Sequence, residues 1–355
     1  MSELQYMIFI EERGFYMLNN ISQHGKPLLI KLVICSAMVG AIFPTISYAQ
    51  DIVTQGATGD HKHHLKILEG PSCWYTPSFR PEVLPDSPLL PVKHPLPDIS
   101  APMIPNDFLI SGGISMSAEE QGFTAEEVGN LGDPVGIIDD ATHTLWKVHG
   151  QLTWEVDGVT YAGCAGLISP WHVMTSADNV YDFKKKSWWK NIQFHPGRNG
   201  ETILLPPVSC VKLAILSDWV QGNKESNMAI LELSQDVGNS LGYNGVLCGE
   251  DAFLKAVDPI NLTGYLVDKP KGTMCTTISS GQEIYDTQIS YKLSAGPGMS
   301  GANPWAVHLR SLGDDWVGPY SLGVHTYGVK GVTNLATRLT RARLESIVNV
   351  INNVF

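Results

Sequence analysis

One glycine-lined turn presents a serine in a setting suited to nucleophilic chemistry. It reads Gly296-Pro297-Gly298-Met299-Ser300-Gly301-Ala302-Asn303-Pro304. Glycines on both sides of Ser300 permit backbone conformations that a Cβ would forbid, and they leave room for a substrate carbonyl. The backbone amides of Gly298 and Ser300 could then both donate to a developing oxyanion. The turn therefore predicts a candidate nucleophile, Ser300, beside an oxyanion hole, although G-x-S-G alone is also common in ordinary surface turns.

The elements that must position this turn are mostly strands. From Val135 onward, short runs of β-formers alternate with Gly, Pro, Asn and Asp, as in an antiparallel barrel or sandwich. A helix is predicted over residues 340–352, because apolar residues recur there at helical spacing behind a threonine. The clearest predicted strands are 151–156, 161–168, 192–195, 228–233 and 320–326.

The first 49 residues have the pattern of an export signal. Lys26 and Lys31 precede an apolar run of 12 residues, 32–43, and the small-x-small site Ser47-Tyr48-Ala49 follows. The apolar run is too short to span a bilayer. We therefore expect cleavage after Ala49 and a secreted or periplasmic protein without a membrane anchor.

Residues 50–134 are predicted to be a proline-rich propeptide or linker in front of a domain at 135–355. Ten prolines fall between positions 71 and 107, where hydrophobic periodicity is weak. Since proline lacks the N–H that a ladder or helix needs, this stretch should be extended and partly polyproline II, without strand pairing. One short helix is predicted at 118–128.

Charge and cysteine usage limit the classes of function. The net charge is -11 and basic residues are not clustered on one face, which argues against nucleic-acid binding. Of the 6 cysteines, five remain once Cys35 leaves with the signal. An exported protein can form disulfides, and Cys248 with Cys275 is the pair we expect. No C-x-x-C or H-E-x-x-H spacing occurs, so we expect neither a metal nor a cofactor.

Seven segments follow one another in a recognisable order from residue 136 onward. They are Gly136-Ile137-Ile138-Asp139-Asp140, Cys164-Ala165-Gly166-Leu167-Ile168-Ser169-Pro170, His195-Pro196-Gly197-Arg198-Asn199-Gly200, Asn227-Met228-Ala229-Ile230-Leu231, Thr263-Gly264-Tyr265-Leu266-Val267-Asp268-Lys269-Pro270 with Gly272-Thr273-Met274, the serine turn, and Gly323-Val324-His325-Thr326-Tyr327-Gly328. Together they resemble the V8-like glutamyl endopeptidases, a bacterial branch of the trypsin-like serine proteases. The resemblance implies an all-β fold, a trypsin-like double β-barrel with a C-terminal α-helix.

Two of the three catalytic positions depart from the pattern of that family. Where the family has a T-A-A-H motif, whose histidine is the general base, this chain reads Thr175-Ser176-Ala177-Asp178. The position of the family's aspartate holds Asn227, and only Ser300 is retained. A carboxylate with an unperturbed pKa of about 3.9 is a weak base for a serine hydroxyl, and an amide supplies no charge to an imidazolium. The resemblance therefore implies a serine protease homologue without proteolytic activity.

An active endopeptidase is the alternative, with Ser300 as nucleophile, a recruited base and cleavage after acidic residues. His172 precedes Asp178 by six residues, about 20 Å along an extended strand, which is too far for it to serve as that base. The other candidate histidines, which nothing in their sequence surroundings recommends, are His149, His195 and His308.

His325 is the candidate for substrate binding. In the resembling family, the histidine of H-T-x-G lines the pocket for a glutamate side chain, and a partly protonated imidazole suits a carboxylate. A histidine merely packed on a barrel strand is an equal alternative, just as Ser300 could persist for the shape of its turn. The expected partner is a peptide or protein ligand, with acidic side chains as one option. We expect a monomer that binds neither nucleic acid nor, after signal removal, a membrane.

Overall fold

The computed structural model of the chain describes residues 6–11, 14–19, 30–31, 52–56, 64–70, 72–79, 93–95, 108–110, 135–308, 317–329 and 333–355. The chain divides into two compact units, Met1–Tyr48 and Ala49–Phe355. In the first unit, β1 (Tyr6–Glu11), β2 (Gly14–Asn19) and β3 (Ile30–Lys31) form an antiparallel sheet. The apolar run 32–43 of the predicted signal and the predicted helix 118–128 lie outside the described residues.

Five short strands lie within the predicted leader; four of them pair with the domain that follows, and the fifth pairs with another leader strand. They are β4 (Ile52–Gly56), β5 (Leu68–Gly70), β6 (Cys73–Tyr75), β7 (Lys93–Pro95) and β8 (Phe108–Ile110). The expectation that the proline-rich stretch forms no ladder is therefore wrong. β6 lies between Pro71 and Pro77, so its three residues keep every N–H available for pairing.

A closed antiparallel barrel forms the first half of the domain. Six strands follow one another around it in the order β10, β15, β16, β17, β12, β11, and β11 pairs again with β10. The leader strands β4 and β8 add to β16 and β11 respectively. The strands of this half, with the short β9 before them, are β9 (Gly136–Ile137), β10 (His149–Val156), β11 (Val159–Leu167), β12 (His172–Thr175), β13 (Tyr181–Asp182), β14 (Ser187–Trp188), β15 (Lys190–Pro196), β16 (Val208–Leu216) and β17 (Ala229–Leu233).

Two sheets around one core form the second half. One has nine strands in the order β5-β6-β18-β24-β23-β19-β20-β9-β7, and the other has four in the order β21-β22-β26-β25. Residues of both sheets, Leu262 and Met274 from the first and Ile289 and Ala336 from the second, belong to the same buried cluster. The strands are β18 (Gly245–Gly249), β19 (Ile260–Tyr265), β20 (Met274–Ser279), β21 (Glu283–Ile284), β22 (Gln288–Tyr291), β23 (Pro304–His308), β24 (Val317–Ser321), β25 (Gly323–Val329) and β26 (Thr333–Arg338).

Helices are few and short in the described part of the chain. The longest, α5, begins at Arg341 because the hydroxyl of Thr340 accepts from the Arg343 amide at 3.3 Å. Its Leu344 and Ile347 are buried in a third apolar cluster with Ile168. The predicted C-terminal helix and the predicted strands are thus confirmed, except that 320–326 is not one strand. It covers the end of β24 and the start of β25, which Leu322 separates. The helices are α1 (Thr144–Lys147), α2 (Ser217–Val220), α3 (Gly238–Leu241), α4 (Asp251–Lys255) and α5 (Arg341–Asn349), which continues as a π-turn at Val350–Val354.

The predicted disulfide between Cys248 and Cys275 is wrong. Both thiols are free, and Cys248 lies in an apolar cluster that does not include Cys275. Each side chain is buried as a small apolar group, and burial raises the pKa of both thiols to about 12. Among the described residues, no helix has the length and apolar character required to cross a bilayer.

Candidate functional site

The serine turn lies between β22 and β23, and its shape depends on two glycines. Gly298 has φ of 97°, and a Cβ there would lie 2.5 Å from the carbonyl oxygen of Tyr265. Gly301 has φ of 88°, and a Cβ there would lie 2.2 Å from the carbonyl oxygen of Cys164. Both positions combine a left-handed backbone with a close approach of another strand, so glycine is required at each. The Cys164 thiol also donates to the Gly298 carbonyl at 3.1 Å.

Two amides of this turn have no acceptor in the part of the chain that the structure describes. Within it, the Met299 amide donates to the Gly296 carbonyl at 3.1 Å, and the Gly301 amide donates to the His325 carbonyl at 2.9 Å. Among the described residues, no acceptor is paired with the amide of Gly298 or of Ser300. These are the two donors that an oxyanion hole at this turn would use.

The Ser300 side chain is buried against the 3₁₀ turn that follows β12. The Ser300 hydroxyl lies 3.0 Å from the Ser176 hydroxyl, and it donates a hydrogen bond to Asp178 Oδ1 at 3.5 Å. Asn179 Nδ2 donates to the Ser300 carbonyl at 3.0 Å, which fixes the backbone behind the hydroxyl. The turn Ala177–Asn179 thus presents a carboxyl, where an imidazole was expected from the family pattern, to the serine.

The half-buried Asp178 carboxyl is in a polar but poorly hydrated setting. Burial raises its pKa, and hydrogen bonds from Ser176, Asn227 and Ser300 and from the Asn179 amide oppose that rise. A raised pKa makes the carboxylate a stronger base than one in water.

Asn227 is completely buried behind Asp178. Its Oδ1 accepts from the Asp178 amide at 3.1 Å, and its Nδ2 donates to the Tyr327 hydroxyl at 2.9 Å. These bonds engage both ends of the amide, whereas an aspartate in this place would present a negative charge. The structure thus brings Ser300, Asp178 and Asn227 together, in the order in which a serine, a base and its orienting acid would stand.

His325 lies on β25, with only 4% of its surface exposed. Its Nδ1 is 2.8 Å from the Tyr291 hydroxyl. Burial lowers the pKa of His325 to about 4 and raises that of Tyr291 well above 10, so a neutral imidazole meets a protonated tyrosine at neutral pH. The expected partly protonated imidazole does not occur. Nε2 of the neutral ring has no hydrogen-bond partner among the described residues.

The other candidate histidines have their own surroundings. His172 Nδ1 lies 2.7 Å from the Ser169 hydroxyl, and its ring stacks on Phe355. His195 Nε2 lies 2.9 Å from the Thr153 hydroxyl. The His149 ring lies 5.4 Å from that of Trp305, and burial lowers its pKa to about 3. The side chain of His308 is outside the described residues.

Three residues of the site were missed by sequence reasoning. Ser176 contacts Ser300, Tyr327 accepts a hydrogen bond from Asn227, and Tyr291 is hydrogen-bonded to His325. Ser176 had a signal, since it is a further departure from the T-A-A-H motif beside Asp178. The two tyrosines had none, because their partners are distant in sequence.

Comparison with known proteins agrees with this architecture. No family model matches the chain. A curated glutamyl endopeptidase of Bacillus licheniformis is 30% identical over 194 residues, which are 54% of this chain and 60% of the relative. The chain thus matches less than two thirds of that relative's length.

Solved structures were compared as well. A Glu endopeptidase in complex with MPD superposes with a TM-score of 0.51 at 18% identity, over 61% of this chain and 95% of the other. The protease Anisep of Arthrobacter nicotinovorans superposes with a TM-score of 0.47 at 13% identity, over 58% and 95%. The first likeness confirms the predicted trypsin-like fold.

Proposed function

We propose that this relative of the glutamyl endopeptidases is an exported, monomeric serine protease homologue that does not cleave peptides but binds a peptide or protein ligand in its cleft. Export follows from the sequence pattern of residues 1–49. The ligand class follows from the fold and the site, and acidic side chains are the preferred feature of that ligand.

The observation that carries this proposal is the pair Asp178 and Asn227 behind Ser300. Imidazole accepts the serine proton on one nitrogen while the other donates to a carboxylate that stabilises the resulting cation. The Asp178 carboxylate has no N–H with which to donate to an acid behind it, and Asn227 offers it an amide rather than a charge. Removal of the catalytic serine or histidine from a protease with a complete triad, such as subtilisin, lowers kcat by about 10⁶-fold. A comparable loss here leaves no useful protease.

Two features support retention of a ligand cleft. The amides of Gly298 and Ser300 remain available for a carbonyl or carboxylate oxygen. If Tyr291 donates to Nδ1, Nε2–H of the neutral His325 is a further donor, suited to an acidic side chain. A ligand would therefore be held by hydrogen bonds without a catalytic base.

One observation favours the second candidate, an active endopeptidase. Ser300 contacts a carboxyl whose pKa is raised, and Ser176 lies beside both groups, so Asp178 could act as an unconventional base. Such an enzyme would cleave after acidic residues with Ser300 as its nucleophile. The two candidates differ in whether Ser300-dependent turnover exists at all.

A restoration experiment tests the proposal. We expect the purified wild-type protein to show no turnover of fluorogenic glutamyl or aspartyl peptides across a wide pH range. Asp178→His with Asn227→Asp should create activity, and Ser176→Ala should raise it further by freeing the Ser300 hydroxyl from a competing partner. Adding Ser300→Ala should abolish whatever activity appears. Wild-type turnover that Ser300→Ala removes would refute the inactive homologue and establish the second candidate.

Ligand binding is tested separately, by fluorescence anisotropy with labelled peptides that carry glutamate or, as a control, glutamine. We expect the glutamyl peptide to bind more tightly, and His325→Leu to remove the difference. The matched control His64→Leu replaces an exposed histidine and should leave binding unchanged. Equal binding of both peptides would refute the preference for acidic side chains.

A further inference from the structure

We propose that residues 64–79, called here the leader strap, are a permanent part of the nine-stranded sheet, to which they contribute β5 and β6. The strap stays bound when the chain is cut between positions 80 and 134. Residues 135–355 are called here the body. The surface of the body that receives the strap is formed by Tyr243–Glu250 and by helix α5. The partner of this surface is thus an extended segment of the same chain. A propeptide that detaches on maturation would behave differently.

The strap and the body run antiparallel in one unbroken register. β6 pairs with β18, with Cys73 opposite Gly249 and Tyr75 opposite Leu247. The pairing continues beyond β6, because the Thr76 amide donates to the Val246 carbonyl at 2.9 Å. It ends at an isolated bridge between Phe79 and Tyr243, with hydrogen bonds of 3.1 and 3.0 Å. Addition of a strand at a sheet edge is a known mode of peptide recognition, in which backbone bonds supply much of the affinity.

The body is shaped for this approach. A Cβ on Gly245 would lie 2.4 Å from the Thr76 carbonyl oxygen, and one on Gly249 would lie 3.1 Å from the Ser72 carbonyl oxygen. On the strap side, Cys73 and Thr76 are 0% exposed. The Thr76 hydroxyl also accepts from the Val246 amide at 2.9 Å, so departure of the strap would expose apolar surface and break ordered polar contacts together.

Side chains fasten the strap at two further places on α5 and its continuation. The Arg341 guanidinium lies over the Trp74 ring, 4.6 Å from its centroid, and 3.7 Å from the Glu69 carboxylate. The Asn352 side chain accepts from the Leu65 amide at 2.7 Å and donates to its carbonyl at 2.8 Å. These contacts hold both the backbone of the strap and its aromatic side chain. A linker without a fixed position would not make such contacts.

The test is to cut the folded chain and ask whether the strap leaves. A recognition sequence for a site-specific protease replaces residues 84–90, and the purified protein is cleaved after folding. We expect the N-terminal fragment to co-elute with the body in gel filtration and to separate only in denaturant. Separation in native buffer would overturn the proposal. Since the cut is made after folding, failure of a truncated chain to fold does not affect the result.

A variant of the cut protein tests the assigned contacts. Trp74→Ala should raise the dissociation rate of the fragment by about tenfold or more, because it removes both a ring packed against the third apolar cluster and the cation–π contact. The matched control Leu68→Ala, at a side chain that is 38% exposed, should change the rate much less. An unchanged rate with Trp74→Ala, measured by exchange against labelled fragment, would contradict the strap as assigned.

Discussion

The buried guanidinium of Arg343 offers the largest single test of how the site is held together. Arg343 is 1% exposed on α5 and donates to the carbonyls of Thr287, Arg338 and Glu225 at 2.9, 2.7 and 2.9 Å. Burial lowers the pKa of Arg343 to about 10, so the group remains charged at neutral pH. Glu225 lies in the 3₁₀ turn Lys224–Ser226, which leads directly into Asn227. One side chain thus joins the C-terminal helix to the segment that positions Asn227.

Arg343→Met should lower the free energy of unfolding by about 3–5 kcal/mol. The apolar side chain fills similar volume but leaves one buried and two partly buried carbonyls without their donor, at about 1–3 kcal/mol each before relaxation. For a domain of this size, such a loss lowers Tm by roughly 6–20 °C. Arg343→Lys keeps the charge but not the planar fork of donors, so it should recover only a minority of the loss.

Urea unfolding followed by tryptophan fluorescence measures the effect. The control is Lys255→Met on α4, because the Lys255 side chain is 52% exposed and pairs with Glu283 at the surface. Exposed ion pairs contribute about 0–1 kcal/mol, so this control should stay near that range. A loss below about 1 kcal/mol for Arg343→Met would refute the assignment of Arg343 as the joint between helix and site.

Two further predictions concern the site itself. Burial raises the pKa of Asp178, so the stability that its protonated form contributes at low pH is lost as pH rises through that folded pKa. Asp178→Asn should therefore raise Tm at pH 7. In a series of thermal melts, this gain in Tm should shrink toward pH 4. Equal gain at both pH values would contradict the cause. Gly301→Ala should lower the free energy of unfolding by about 2 kcal/mol or more, since its Cβ would meet Cys164 and the backbone is left-handed. The control Gly158→Ala, with φ of 81° and nothing within 4 Å, should cost only about 1 kcal/mol. Equal losses in urea unfolding would contradict the steric argument.

The sequence was informative wherever local pattern and chain order sufficed. Alternating β-runs located the barrel strands, and apolar residues at helical spacing located α5. The order of the seven segments also identified Asp178 and Asn227 as the residues to compare with Ser300, and the structure brings them together. These inferences needed no knowledge of side-chain packing.

Other features depend on contacts that the sequence cannot display. Ser176 meets Ser300 across 124 positions, and Tyr291 meets His325 across 34. The protonation state of His325 follows from tertiary burial, so an expectation built on its ordinary pKa was wrong. The strand at Cys73–Tyr75 is three residues long between prolines, too short to show a period of two, and it forms because β18 presents a matching edge.

Persistence of the serine turn is therefore weak support for catalysis. Gly298 and Gly301 are each required by a neighbouring backbone, and the Ser300 carbonyl accepts from both the Cys164 amide and the Asn179 side chain. These constraints act on the fold whether or not the hydroxyl reacts. The positions that chemistry alone would hold fixed are those of the base and its acid, because a carboxyl or an amide fits the same pocket by shape. Since those positions depart from the family pattern and the turn does not, the turn by itself does not distinguish a working protease from an inactive homologue.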